Sequence, residues 1–427
     1  MGVSGTTMRH SRNDRRKRLT EQVGRVLADV GTPVLVFFEA DMRESYDRLR
    51  SALDDQYPES SVYVAVKANF LPDVLGLFSE WGARAEAFAN CEIEAAMRAG
   101  FDPGDVLVTG MNWDADRIDR ALASGVDTFL VDNRSDLATL RSVAVEADRR
   151  CDVLLRVNPE LDVPTHPDIA TGTPGSKFGM ELSGGDVMAA ARTVAGDDHL
   201  RLHGLQTHLG SQIDSPTPYQ TATRALVELA ADVERETGVA VDTIDVGGGF
   251  PVTYDEQVPP IEEYVSVIAE TVHSACTDLG IDPPELCLEP GRYLFAPSGA
   301  LLCSVGLLKE TSSATYAVLD TGKNTVLAQQ SVPIYAPFTD GPSREYSVAG
   351  PLCYSGDVFA DGVLLPALDP GDVVALDRVG AYAIGRETHF NGMPMVPVVV
   401  VDADGGYEVV RERETCADVL PSDGTGD

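Results

Sequence analysis

The chain has 427 residues, of which 67 are Asp or Glu and 33 are Lys or Arg, giving a formal net charge of -34. That length allows two domains, or one large α/β barrel with a smaller companion, while the charge excludes DNA, RNA and anionic membranes as partners because each would be repelled. Acidic residues are scattered through the whole chain and not gathered in a tail, which predicts adaptation to a salt-rich cytoplasm, where screening makes such self-repulsion tolerable.

Seven cysteines, at 91, 151, 276, 287, 303, 353 and 416, form no CxxC pair and do not cluster with histidines, so neither a metal site nor a disulfide framework is expected. No apolar run reaches the length of a membrane span and no secretory signal precedes the fold, so the expected location is cytoplasmic. The start MGVSGT matches a lipidation pattern only loosely. The basic run RHSRNDRRKR, Arg9 to Arg18, is read as a frayed or helical terminus and not as a nucleic-acid arm.

In chain order, the turn at Gly31 to Pro33 leads into a short strand, VLVFF, and then a helical stretch. Compact apolar runs follow, alternating with helical segments: VYVAV, ARAEAF, VLVTG, TFLVD, VLLRV, LHGLQTH, TIDVG and ELCLEP. Eight such runs predict an α/β fold, a closed (β/α)8 TIM barrel over residues 40–300; an open doubly wound sheet would need fewer strands. Past Leu301 the texture changes to short strands and turns (YAVLD, EYSVAG, DVVALD, VPVVVVD), predicting a β-rich domain over 301–427, to which residues 1–39 contribute.

Active sites of such barrels form at the C-terminal ends of the strands. Lys67 follows VYVAV, Arg156 lies within the fifth run, His208 ends the sixth, Gly247, Gly248 and Gly249 follow the seventh, and Glu289 to Arg292 follow the eighth. Taken singly, a lysine at a strand end, a core histidine and a glycine turn are ordinary. Together they make a set that one cofactor would explain: an amine able to form an imine, an imidazole face, a glycine turn and an arginine for a phosphate, and a carboxylate for a ring nitrogen. That cofactor is pyridoxal 5'-phosphate.

The motifs YVAVKAN (63–69), LRVNP (155–159), THPDIATGTPGSKFG (165–179), HLGSQI (208–213), DVGGGFP (245–251), EPGR (289–292), GPLCYSGD (350–357) and GAY (380–382) carry a family resemblance. Over nearly its whole length the chain resembles the fold-type III pyridoxal-phosphate-dependent amino-acid decarboxylases, with their alanine-racemase-like barrel. The resemblance makes Lys67 the Schiff-base lysine. It assigns His208 to ring stacking, Ser211 and Gly247 to Gly249 to the phosphate, Glu289 to the pyridinium, Arg292 to phosphate or substrate, and Arg156 and Glu92 to support around the ring. It further implies a homodimer in which Cys353 and Tyr382 reach the partner's barrel, with Cys353 the proton donor to the carbon that loses carbon dioxide.

THPDIATGTPGSKFG and HLGSQI are most like the diaminopimelate branch, which makes lysine. Two positions depart from it. Tyr354 stands where that branch has an acidic residue after the cysteine, and Ser331 where it has an arginine four residues before the tyrosine matching Tyr335; these places would hold the far end of a diamino acid. GGGFP is closer to the ornithine and polyamine branches. The alternatives are therefore a decarboxylase of ornithine or of a siderophore or polyamine precursor and, less favoured because Cys353 would have no purpose, a pyridoxal-phosphate-binding protein without activity.

Overall fold

The computed structural model describes residues 19–163, 165, 169–254, 256–326 and 332–420. The basic run ending at Arg18, the stretch 166–168 of the THPD motif and Ser331 lie outside the described residues. The chain divides into two compact units, one of Glu44–Thr253 and Gln257–Leu294, the other of Met1–Arg43, Tyr254–Glu256 and Phe295–Asp427. No described helix is long and apolar enough to cross a membrane.

The first strand, β1 (Val34–Phe38), belongs to the second unit. The first unit is built on β2 (Ser60–Ala65), β3 (Arg84–Ala87), β4 (Val106–Val108), β5 (Thr128–Val131), β6 (Cys151–Asn158), the short β7 (Met180–Glu181), β8 (Leu200–Gln206), β9 (Thr243–Asp245) and β10 (Glu285–Leu288). Eight of them close a ring, β2-β3-β4-β5-β6-β8-β9-β10 and back to β2, and every pairing is parallel; β7 adds only to the end of β6. These are the eight apolar runs read from the sequence. Parallel strands covered on both faces need side chains that tolerate burial throughout, so they appear as continuous apolar runs and not as alternating ones.

Inside the ring, Tyr63, Leu107, Leu130, Leu154 and Cys287 form one buried cluster drawn from five strands. They anchor the parity of those five strands, because side chains two residues apart share a face, and register carries it to the strands between them. The connecting helices bury one stripe: in Thr217–Thr237 the buried positions include Tyr219, Thr223, Leu226, Ala230 and Val233, spaced three and four apart, and Gly238 ends the helix in a left-handed turn at φ +72°.

The second unit carries a mixed sheet: β11 (Gly299–Glu310), β12 (Thr315–Leu319), β13 (Ile334–Tyr335), β14 (Ser343–Ala349), β15 (Val358–Pro366), β16 (Val373–Asp377), β17 (Val398–Val401) and β18 (Tyr407–Arg411). The order is β15-β14-β12-β11-β1-β17-β18, with β16 also on β11 and β13 on β16. Thus β1 lies between β11, antiparallel, and β17, parallel. Its residues Val34, Val36 and Phe38 share a core with Leu302, Val399 and Val401.

Candidate active site

Strand parity and register put the polar side chains into the barrel mouth. Tyr63 faces inward, and so does Ala65 two residues on, at the end of the strand; the 3-10 turn Val66–Ala68 that follows carries Lys67 at the barrel mouth. Register pairs Ala65 with Glu86, and Lys67 Nζ donates to Glu86 Oε2 at 2.6 Å. The Glu86 side chain is 4% exposed and that of Lys67 42%. A carboxylate this deep is tolerated because it holds a cation within hydrogen-bond reach.

Cys287 also faces inward, and Glu289 two residues on follows it into the mouth, where Glu289 N–H continues the ladder to Gly247 O at 2.9 Å. Register sets Asp245 beside both Cys287 and Gln206, and Gln206 Nε2 donates to Glu289 Oε2 at 3.0 Å. Glu289 Oε1 and Asp245 Oδ2 are buried and meet no N–H or hydroxyl donor among the described residues, while the two carboxyl groups are hydrogen-bond partners of each other. Burial first, then the charges of Asp245 and Glu86, pushes the Glu289 carboxyl well above the usual carboxylate range. Burial likewise pushes Asp245 up to about 7, opposed by the Gly247 N–H. Neighbouring carboxylates in a dry site cannot both ionise at low cost, so the pair keeps a proton at neutral pH.

His208 is held neutral: burial, then Lys67, then Arg156 lowers it well below its ordinary value. Its tautomer is fixed as well, because Gly248 N–H donates to Nδ1 at 3.1 Å and leaves the ring proton on Nε2. Leu154 faces inward, and so therefore does Arg156, whose Nε lies 3.8 Å from Asp132 Oδ2 and whose Cζ sits 4.8 Å from the Phe178 ring centre. Glu92, on the helix after β3, accepts from Phe88 N–H at 2.6 Å, and burial raises its carboxyl.

The glycine turn is dictated by crowding. A Cβ on Gly247 would overlap Thr207 O, one on Gly248 the Glu289 carbonyl oxygen, and one on Gly249 the Gly210 carbonyl oxygen, while φ is +71° at Gly247 and +98° at Gly249. Gly247 N–H is committed to Asp245 Oδ1 at 2.8 Å and Gly248 N–H to His208. Gly249 N–H has no acceptor among the described residues. Arg292, at the start of the short helix Arg292–Phe295, donates from Nε to Ser211 Oγ at 3.2 Å.

The remaining candidates belong to the other unit. Cys353 is exposed, and its N–H donates to Asn391 Oδ1 at 2.9 Å. Tyr354 is 57% and Phe390 47% exposed, their rings edge to face with centres 6.3 Å apart. Tyr382 sits at φ +61°, unusual for a bulky residue, with Arg386 5.9 Å from its ring centre. Tyr335, on β13, packs against the core around Val36 and Ala375.

Sequence reasoning missed Glu86, Gln206 and Asp245. Apart from Arg156 it sought residues at or just past the end of each apolar run, whereas these stand before the end of the runs ARAEAF, LHGLQTH and TIDVG. A polar residue at the last inward position of a barrel strand is the signal that would have found them.

An amine held by a buried carboxylate, a second buried carboxyl without an N–H or hydroxyl donor on one oxygen, a neutral imidazole and a glycine turn beside an arginine fit one group in particular. The chain belongs to the pyridoxal-dependent decarboxylases: residues 40–296 match the family model described as pyridoxal-dependent decarboxylase, pyridoxal binding domain. It is 37% identical over 404 residues to a diaminopimelate decarboxylase of Methanothermobacter thermautotrophicus, covering 92% of both chains. A diaminopimelate decarboxylase of Pseudomonas aeruginosa is 33% identical, with 92% of this chain and 93% of that one covered. The crystal structure of the M. jannaschii diaminopimelate decarboxylase with L-lysine superposes with a TM-score of 0.88 at 28% identity over 94% of each chain.

The mouth passes a test of fit to pyridoxal 5'-phosphate. Glu289 Oε1 lacks the donor that a protonated ring nitrogen would supply, and the turn offers the Gly249 N–H beside Arg292 and Ser211, a donor set suited to a phosphate.

Proposed function

We propose that this chain decarboxylates meso-diaminopimelate to L-lysine with pyridoxal 5'-phosphate held in its barrel mouth. The observation that carries the substrate is the 37% identity to a diaminopimelate decarboxylase across 92% of the chain. Lys67 would hold the cofactor covalently, Glu289 its ring nitrogen, His208 its face, and Ser211, Arg292 and the Gly247–Gly249 turn its phosphate. When bound, the cofactor supplies an electron sink for the pair of electrons left as the carboxylate departs.

The side chains do the rest. Glu86 Oε2 keeps Lys67 Nζ in the mouth and is placed to take its proton when the amine acts as a nucleophile. A neutral His208 presents a ring face without adding positive charge, and its Nδ1 is held by the turn that meets the phosphate. Arg156, braced by Asp132 and Phe178, adds fixed positive charge. Cys353 would return a proton to the substrate carbon after carbon dioxide leaves, and Arg292, Tyr335, Tyr354 and Tyr382 would contact the substrate.

The same reading takes the protein to be a cytoplasmic homodimer with shared sites, adapted to high salt. The exposed Tyr354–Phe390 pair beside Cys353 supports a cover from a second copy. Carbon dioxide release from a panel of meso-diaminopimelate, ornithine, lysine and arginine in high salt tests the substrate. Release from diaminopimelate is the expected result; release from ornithine alone would move the chain to the polyamine branch.

A further inference from the structure

Cys353 sits at the tip of the loop 350–357, and the loop is closed from within. The buried Asp357 carboxylate accepts Lys323 N–H at 2.7 Å through Oδ1 and Leu352 N–H at 2.9 Å through Oδ2. Gly350 N–H donates to Asp357 O at 3.0 Å, Tyr354 N–H to Leu352 O at 2.7 Å, and Asp357 N–H to Tyr354 O at 3.0 Å. A Cβ on Gly322 or Gly350 would overlap the Asp357 carboxylate, so both flanks of the loop are packed onto it.

None of these bonds holds the cysteine itself. Its backbone is tied to another segment of the unit by Asn391 Oδ1, and the neighbouring Tyr354 ring meets the neighbouring Phe390 ring. Asn391 stands at φ +58°, a left-handed conformation that Asn, Asp and Gly adopt most readily. A residue kept in that region, with its side chain aimed at the amide of the reactive residue, points to a role there.

We propose that Asn391 is a positioning residue for Cys353: by holding the Cys353 amide it limits the travel of Sγ to side-chain rotation and so aims the thiol proton. This rests on the reading of Cys353 as proton donor. In that step the S–H bond breaks as a C–H bond forms at the substrate carbon that has lost carbon dioxide, and the thiolate recovers its proton from solvent. A thiol that is poorly aimed delivers late, and protonation at the wrong atom consumes the cofactor's aldehyde.

The test compares the holoenzymes of wild type, Asn391→Gly, Asn391→Asp and Cys353→Ala. Asn391→Gly keeps the left-handed backbone and deletes the acceptor, whereas Asn391→Asp keeps both. One readout is cofactor aldehyde lost per carbon dioxide released. The other, without substrate, is iodoacetamide labelling of Cys353 relative to the exposed Cys91 and Cys416 in the same sample. Asn391→Gly should raise both by about fivefold, the worth of one neutral hydrogen bond, and Asn391→Asp should restore both. Wild-type values for Asn391→Gly, or an Asn391→Asp as impaired as Asn391→Gly, would overturn the inference. If Cys353→Ala itself leaves the aldehyde loss unchanged, the proton-donor reading fails and this inference with it; a rise in Cys353→Ala without one in Asn391→Gly sinks the positioning role alone.

Discussion

Asp245 shows how one buried carboxyl gives the barrel a pH dependence of definite sign. Its folded pKa is pushed up to about 7 by burial, with the Gly247 N–H and the hydrogen bond to the Glu289 carboxyl opposing and Glu86 and Glu285 acting in the same direction as burial. The ordinary value is 3.8. A carboxyl raised in the fold contributes stability that is complete below the unfolded pKa and is lost as pH rises through the folded one, so the loss runs from about pH 4 to pH 7 with a slope up to about 1.4 kcal/mol per pH unit. His208 acts the other way: lowered in the fold, it costs stability as pH falls below about 6.5. Comparing wild type with Asp245→Asn cancels the histidine. In cofactor-free protein, denaturant midpoints from pH 4 to pH 7 should show the variant gaining on wild type as pH rises. A constant difference would mean that Asp245 is ionised throughout.

The glycine turn after β9 is the element on which the mouth depends, because it meets the ends of β8 and β10 and orients His208. Gly248→Ala would drive a methyl into the Glu289 carbonyl oxygen and force the strand ends apart, at about 3 kcal/mol. Tyr219→Phe, which removes only the hydrogen bond from Tyr219 Oη to Gly248 O, should cost about 1 kcal/mol. Denaturant midpoints check both, and equal losses would show that crowding is not the cause. At this scale the eight barrel strands were legible because burial on both faces writes continuous apolar runs. So were Lys67, His208, the glycines and Glu289, because strand ends are marked by a change of texture. Glu86, Gln206 and Asp245 were not, since a single polar residue inside an apolar run looks like a tolerated exception until register shows which way it points. Asn391 was hidden for another reason: its contact with Cys353 joins positions 38 apart in sequence through a side chain, and no local pattern records that.

Across the whole molecule, a net charge of -34 makes ionic strength a structural variable. The Debye length grows from about 3 Å at 1 M salt to about 10 Å at 0.1 M, so carboxylates that ignore one another at high salt repel at low salt. Circular dichroism should show structure lost as salt is lowered across that range; equal stability at both ends would contradict the habitat reading and leave the enzyme reading intact. The enzyme reading itself has a sharp target, because the chain holds only five lysines, at 17, 67, 177, 309 and 323. Lys177 is the other one in the barrel unit, and its Nζ lies 5.0 Å from the Phe178 ring centre. Borohydride reduction of the protein loaded with pyridoxal 5'-phosphate, followed by peptide mapping, should place the label on Lys67 and leave Lys67→Ala unlabelled. Label on Lys177 or any other lysine would contradict the account.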